Sequence, residues 1–210
     1  MDAGYWHQKW EENSLGFHQS TANPMLVSHL NTLSLKKNSR IFLPLCGKTL
    51  DIAYLLSKGY RITGAELSEL AIKQLFVELD VRPNISNIGK LKLYSADNID
   101  IFVGDFFDLS GAALGPVDAI YDRAALVALP KDMRLLYRAH LLDITAMARQ
   151  LLLTFDYDQN LMEGPPFSIS NEDVNQYYNK SYEVTLLASR ELPGGLKGIC
   201  AAMENAWLLQ

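Results

Sequence analysis

Arg40-Ile-Phe-Leu-Pro-Leu-Cys-Gly-Lys-Thr-Leu-Asp-Ile-Ala-Tyr-Leu-Leu56 is the stretch on which the fold turns. Ile41 to Leu45 form an apolar run too short for a helix and suited to a buried strand. The chain then turns over Cys46 and Gly47, and Leu50, Ala53, Tyr54 and Leu56 recur on or near one helical face. A strand, a tight glycine turn and a helix, in that order, open a nucleotide-binding α/β fold. Such a turn directs the unpaired N–H groups of a helix start toward whatever binds above the strand end.

Downstream, the pattern repeats. Lys58-Gly59 closes the first helix. Residues 60–65 read as a second strand, and Ser68 with Glu69 starts a helix to about residue 79. Residues 81–98 look irregular, with Pro83, Gly89 and several Asn, and one small extra strand at 91–94. Third and fourth strands follow at 99–103 and 117–121. Pro130 opens a helix to about residue 147, with Leu135, Leu136, Ala139 and Leu142 expected on its apolar face. Residues 149–157 form a fifth strand, almost wholly apolar from Leu151 to Phe155, as a strand covered on both faces should be. Ser170 with Asp173 starts a further helix. Strands at 181–190 and 199–209, joined by a Pro-Gly-Gly turn, should pair antiparallel.

The fold expected is therefore α/β and Rossmann-like: a seven-stranded, mostly parallel sheet with an antiparallel C-terminal strand and helices on both faces. We expect one domain over residues 1–210, in which 1–38 form a helical cover and 39–210 the core.

With 19 basic and 24 acidic residues the net charge is −5, which argues against a nucleic-acid partner. The longest apolar runs, at 124–129 and 151–155, are too short to span a bilayer. The N-terminus lacks the character of a signal peptide. Cys46 and Cys200 form no CxxC pair, so a reduced, cytoplasmic protein is expected. The four histidines, His7, His18, His29 and His140, show no metal-ligand spacing, and no metal is expected.

Candidate site residues stand at the strand ends, where open α/β sheets carry their ligands. Glu66 follows the second strand about 20 residues after the glycine turn, where a carboxylate accepts hydrogen bonds from both ribose hydroxyls. The alternative is a charge favoured by the next helix dipole. Asp105 and Phe106 follow the third strand and suit an adenine edge and ring, or a turn and cap. Arg123 follows the fourth, either paired with Asp118 or Asp122 or facing an anionic ligand group. Gly164-Pro-Pro-Phe167 is stiffened by Pro165 and Pro166 and reads as a substrate wall or a surface connection. Trp6 and Trp10 share a helix face, either packed on the domain or covering a site.

The order of elements is similar to that of class I S-adenosylmethionine-dependent methyltransferases. A nicotinamide enzyme fits less well, because the turn carries a single glycine and no Gly-x-Gly-x-x-Gly. Seven segments together resemble the thiopurine S-methyltransferase family: Trp6-His-Gln-Lys-Trp10, Gly16-Phe17-His18-Gln19, Pro44-Leu-Cys-Gly-Lys48, Gly64-Ala-Glu-Leu-Ser-Glu69, Gly104-Asp-Phe-Phe-Asp108, Tyr121-Asp-Arg-Ala-Ala-Leu126 and Gly164-Pro-Pro-Phe167. They cover nearly the whole chain, and the short connections and the Leu196-Lys-Gly198 tail resemble the bacterial branch.

The resemblance implies a monomeric cytoplasmic enzyme that moves a methyl group from S-adenosylmethionine to the sulfur of an aromatic or heterocyclic thiol, with selenium or tellurium compounds as further acceptors. It implies cofactor contacts from Trp10, Leu45, Glu66 and Arg123, with Asp105 and Phe106 beside the adenine. Phe17, Pro165 and Phe167 would line the acceptor pocket. No catalytic residue is marked out, although Arg123 is the candidate. Two other readings remain at this stage: a class I methyltransferase for a halide, thiocyanate, oxygen or nitrogen acceptor, and a non-catalytic cofactor-binding protein.

Overall fold

The computed structural model describes residues 3–12 and 19–210. Gly16, Phe17 and His18, and with them one expected acceptor contact, lie outside the described residues.

The elements, in chain order, are α1 (Ala3–Glu11), α2 (Pro24–His29), β1 (Arg40–Leu43), α3 (Leu50–Ser57), β2 (Arg61–Glu66), α4 (Glu69–Glu78), β3 (Asn84–Ile88), β4 (Leu91–Ala96), β5 (Ile99–Val103), α5 (Gly111–Leu114), β6 (Ala119–Asp122), α6 (Lys131–Ile144), β7 (Arg149–Tyr157), α7 (Asn171–Tyr178), β8 (Val184–Glu191) and β9 (Ala202–Leu209). They build one nine-stranded sheet in the order β3-β4-β5-β2-β1-β6-β7-β9-β8. Strands β5, β2, β1, β6 and β7 run parallel. The hairpin β8–β9 and the hairpin β3–β4 close the two ends antiparallel.

Alternation along the strands divides the core between the two faces of the sheet. On β1, Ile41 and Leu43 pack with Leu26, Ile52, Leu55 and Ile72. Phe42 packs on the opposite side with Phe102, Ile120, Tyr137 and Leu141. The helix starts follow local chemistry. The side chain of Asn23 caps α2, that of Thr49 caps α3 and that of Ser68 caps α4. Ser170 and Asp173 form a reciprocal capping box on α7.

Three expectations need correction. The sheet has nine strands, because residues 84–96 form a hairpin through Gly89 (φ 59) where only a short strand was foreseen. β3 is polar and exposed along most of its length, so it carries no alternation to read. The first strand ends at Leu43, and Leu45, expected inside it, sits in the turn with φ 47. Helix α6 is also rotated from the expected phase. Leu135, Leu136 and Ala139 face solvent, while Arg134, Tyr137, Leu141, Leu142 and Ile144 are buried. The inward turn is bought by polar partners: Arg134 Nε donates to Leu129 O at 2.9 Å and Tyr137 Oη donates to Asp122 Oδ2 at 2.7 Å.

Candidate active site

The carboxyl ends of the parallel strands open into a cleft of about 840 Å³. The turn after β1 forms its floor. Cys46 N–H donates to Ala65 O at 3.0 Å, and Gly47 N–H donates to Glu66 Oε2 at 2.8 Å, so the tips of β1 and β2 are tied together. Gly47 has φ 54, and a Cβ there would stand 3.1 Å from Trp10 Cζ2. The position thus needs glycine both for its left-handed backbone and for the indole resting on it. Trp10, 3% exposed, is carried down onto this turn by α1.

Glu66 is 7% exposed and ends β2. Burial pushes its carboxyl upward, and the N–H groups of Ser68, Gly47 and Leu67 draw it partly back. The bonds from Ser68 N–H and Gly47 N–H, each 2.8 Å, use one acceptor site on each oxygen. A carboxylate offers about four such sites, so each oxygen keeps the capacity to accept a further donor.

After β5, Asp105 is exposed and accepts the Phe107 N–H at 3.0 Å. Phe106 is buried between Phe42, Tyr137 and His140, with ring centroids 5.0 to 6.5 Å away. The more exposed ring at this wall is Phe107, whose role sequence reading missed. After β6, Asp122 turns inward, accepting the Leu126 N–H at 3.1 Å and the Tyr137 hydroxyl, while Asp118 accepts the Arg40 N–H at 2.7 Å. Arg123 lines the cleft, presented by a turn in which Ala124 has φ 63.

The far wall is built by Pro165 and Pro166. Tyr157 Oη donates to Pro166 O at 2.6 Å and Lys197 Nζ donates to Pro165 O at 2.7 Å, which pins the loop from both sides. Phe167 is not part of the lining; its ring lies 5.5 Å from the Arg134 guanidinium carbon. Glu204 on β9 completes this wall, 2% exposed and bonded to Asn23 Nδ2 at 3.0 Å and to Arg190 Nε at 2.9 Å.

The cleft therefore gathers Trp10, Leu45, Glu66, Asp105, Phe106, Arg123 and Pro165 of the residues singled out from sequence. Lys9, Phe107, Leu129, Met133, Lys197 and Glu204 join them unforeseen. Among the described residues, no group of three or more His, Cys, Asp or Glu side chains is placed to hold a metal.

Sheet order and cleft define a class I S-adenosylmethionine-dependent methyltransferase fold. A solved structure similar to it, the Burkholderia thailandensis 1,6-didemethyltoxoflavin-N1-methyltransferase with bound 1,6-didemethyltoxoflavin and S-adenosylhomocysteine, superposes with a TM-score of 0.67 at 14% identity, covering 99% of this chain and 87% of that one. The thiopurine S-methyltransferase family model matches residues 1–202, and the chain belongs to that family. Relatives include the thiopurine S-methyltransferase of Teredinibacter turnerae, 50% identical over 209 residues, with 100% of this chain and 97% of the relative covered. That of Xanthobacter autotrophicus is 49% identical over 211 residues, covering 100% and 99%.

Proposed function

We propose that this protein transfers a methyl group from S-adenosylmethionine to the sulfur of an aromatic or heterocyclic thiol. The observation that carries the reading is the Glu66–Gly47 clasp beneath Trp10, in a chain matched over nearly its full length by thiopurine S-methyltransferases. When bound, the cofactor supplies an electrophilic sulfonium methyl group.

The residues fit that cofactor. The spare acceptor sites of Glu66 suit two sugar hydroxyls, and Phe107 and Asp105 suit the face and edge of a base. Leu45 and Gly47 supply a close apolar floor, and Arg123 a cation for a carboxylate. Trp10 closes the floor from above and offers an aromatic face to a sulfonium, worth roughly 0.5–2 kcal/mol of binding. Such attraction favours binding and not the barrier, because charge disperses in the transition state. Pro165 and Pro166 confine the acceptor. An aromatic thiol ionises near neutrality, so no dedicated base is required. Alignment of the two reactants in a site shielded from water supplies on the order of 7–11 kcal/mol. The described part of residues 1–38 acts as a cover, and the acidic, low-Cys chain works as a cytoplasmic monomer without nucleic acid. No helix among the described residues is long and apolar enough to cross a membrane.

The test is product analysis with labelled cofactor and a panel of thiols. Methylthio product from a thiopurine supports the reading; cofactor binding without product from any thiol overturns it.

A further inference from the structure

Six of the 19 lysines and arginines have a carboxylate within 4.0 Å among the described residues. Lys48 pairs with Glu78 at 2.6 Å, Lys90 with Asp108 at 2.8 Å and Lys92 with Glu69 at 2.7 Å. Lys9 and Lys197 differ. Both line the cleft, and neither has a carboxylate within 4.0 Å among the described residues. Glu204 lies on the same wall with Arg190 as its cation, and Asn23 donates to its other oxygen.

The position of Lys197 is built. It sits at φ 55 in the turn between β8 and β9, where Leu196 N–H donates to Cys200 O at 2.8 Å and Ile199 N–H to Leu196 O at 3.0 Å. A Cβ on Gly195 would strike Cys200 O at 2.5 Å, so the turn tolerates little change there. The ammonium then rests 2.7 Å from Pro165 O on the acceptor wall. Lys9 reaches the same end from α1, its ammonium 5.5 Å from the Tyr5 ring centroid. The two cations sense each other: partial desolvation first, and Lys9 second, draw the Lys197 ammonium down.

Both signs of charge line the cleft, Glu66, Asp105 and Glu204 on one hand and Lys9, Lys48, Arg123 and Lys197 on the other. Glu66 and Asp105 stand at the tips of β2 and β5, while Lys197 stands beyond β7. Strands β2 and β7 are three steps apart in the sheet, about 14 Å. A cation held on a concave, partly desolvated wall attracts an anionic ligand group, even on a protein whose net charge is −5.

Resting on the methyltransferase reading above, we propose that Lys197, assisted by Lys9, selects acceptors that carry an anionic group in addition to the reacting sulfur, namely aromatic thiols bearing a carboxylate. Lys197 is a specificity-determining residue. It touches the substituent and takes no part in bond making.

The experiment compares kcat/KM for mercaptobenzoate and for its methyl ester in the parent enzyme, Lys197→Gln, Lys197→Arg and Lys9→Gln. Intrinsic differences in thiol reactivity cancel when the acid-to-ester ratio of a variant is divided by that of the parent. The ratio is expected to fall about five- to tenfold in Lys197→Gln, mainly through KM for the acid, less in Lys9→Gln, and to be retained in Lys197→Arg. Raising salt should lower the parent ratio, since part of the preference is screened. A ratio unchanged in both Gln variants overturns the proposal. So does a loss of S-adenosylhomocysteine affinity in Lys197→Gln with the ratio intact, which would place Lys197 on the cofactor. If the parent methylates neither compound nor any other thiol, the methyltransferase reading fails first and the proposal falls with it.

Discussion

Glu66 Oε2 accepts the Gly47 N–H at 2.8 Å, so the acid that ends β2 is held by the turn that ends β1. A single bond thus joins two sites 19 residues apart in sequence and fixes the carboxylate at the floor of the cleft. Removing the carboxylate should separate its effect on ligand binding from its effect on the fold. In Glu66→Ala, S-adenosylhomocysteine affinity measured by calorimetry should fall by about 2–3 kcal/mol, or roughly 30- to 150-fold. Unchanged affinity in a folded variant would remove Glu66 from the site.

Gly47→Ala tests the floor itself. The substitution places a Cβ 3.1 Å from the Trp10 ring at φ 54. Strain of about 1 kcal/mol at a left-handed position corresponds to roughly 2–4 °C of melting temperature for a chain of this size. We expect that small loss together with a shift in Trp10 fluorescence and weakened cofactor binding. A variant with parental fluorescence and affinity would show that the indole does not bear on the turn.

Asn23 links the start of α2 to the acceptor wall. Its Nδ2 donates to Glu204, its own N–H donates to Asp51 Oδ1 at 2.7 Å, and its Oδ1 caps the helix. Asn23→Ala removes the cap and leaves Glu204, 2% exposed, short of a donor. The two losses together amount to about 2–4 kcal/mol. Thermal unfolding should show a drop of roughly 5–15 °C, and a drop below 2 °C would count against this network.

Asp122 gives a pH signature. Burial raises its carboxyl to about 6, against the Tyr137 hydroxyl and the Leu126 N–H, which act to lower it. The folded value lies above the unfolded one of about 3.9, so the folded state holds this proton more tightly. The associated stability is fully present below about pH 4 and is lost as pH rises through 6, by about 3 kcal/mol. Asp122→Asn lacks this dependence. Urea unfolding should therefore show the variant losing more, relative to the parent, at pH 4 than at pH 7. An equal loss at both pH values would refute the raised carboxyl.

Much of the site was legible because its geometry is local. The apolar run ending near Pro44, the glycine at 47 and the acid at 66 are fixed by strand, turn and strand in succession, and the turn is tied to β2 by the Cys46 N–H on Ala65 O and the Gly47 N–H on the Glu66 carboxylate. What escaped reading was set by tertiary partners. The burial of Arg134 and Tyr137 depends on Leu129 O and Asp122, so apolar spacing alone put the wrong face of α6 inward. Phe106 and Phe107 are adjacent, and only the packing against Phe42 and Tyr137 decides which ring enters the core. Lys197 and Glu204 reach the cleft through the C-terminal hairpin, whose place beside β7 carries no mark in the residues themselves.

Incubation of the purified protein with methyl-labelled S-adenosylmethionine and mercaptopurine tests the central claim most directly. The account predicts labelled methylthiopurine formed in step with S-adenosylhomocysteine, at a rate that saturates in both substrates and drops sharply in Arg123→Ala. Absence of labelled product from mercaptopurine and from every other thiol offered, with the cofactor demonstrably bound, would contradict it.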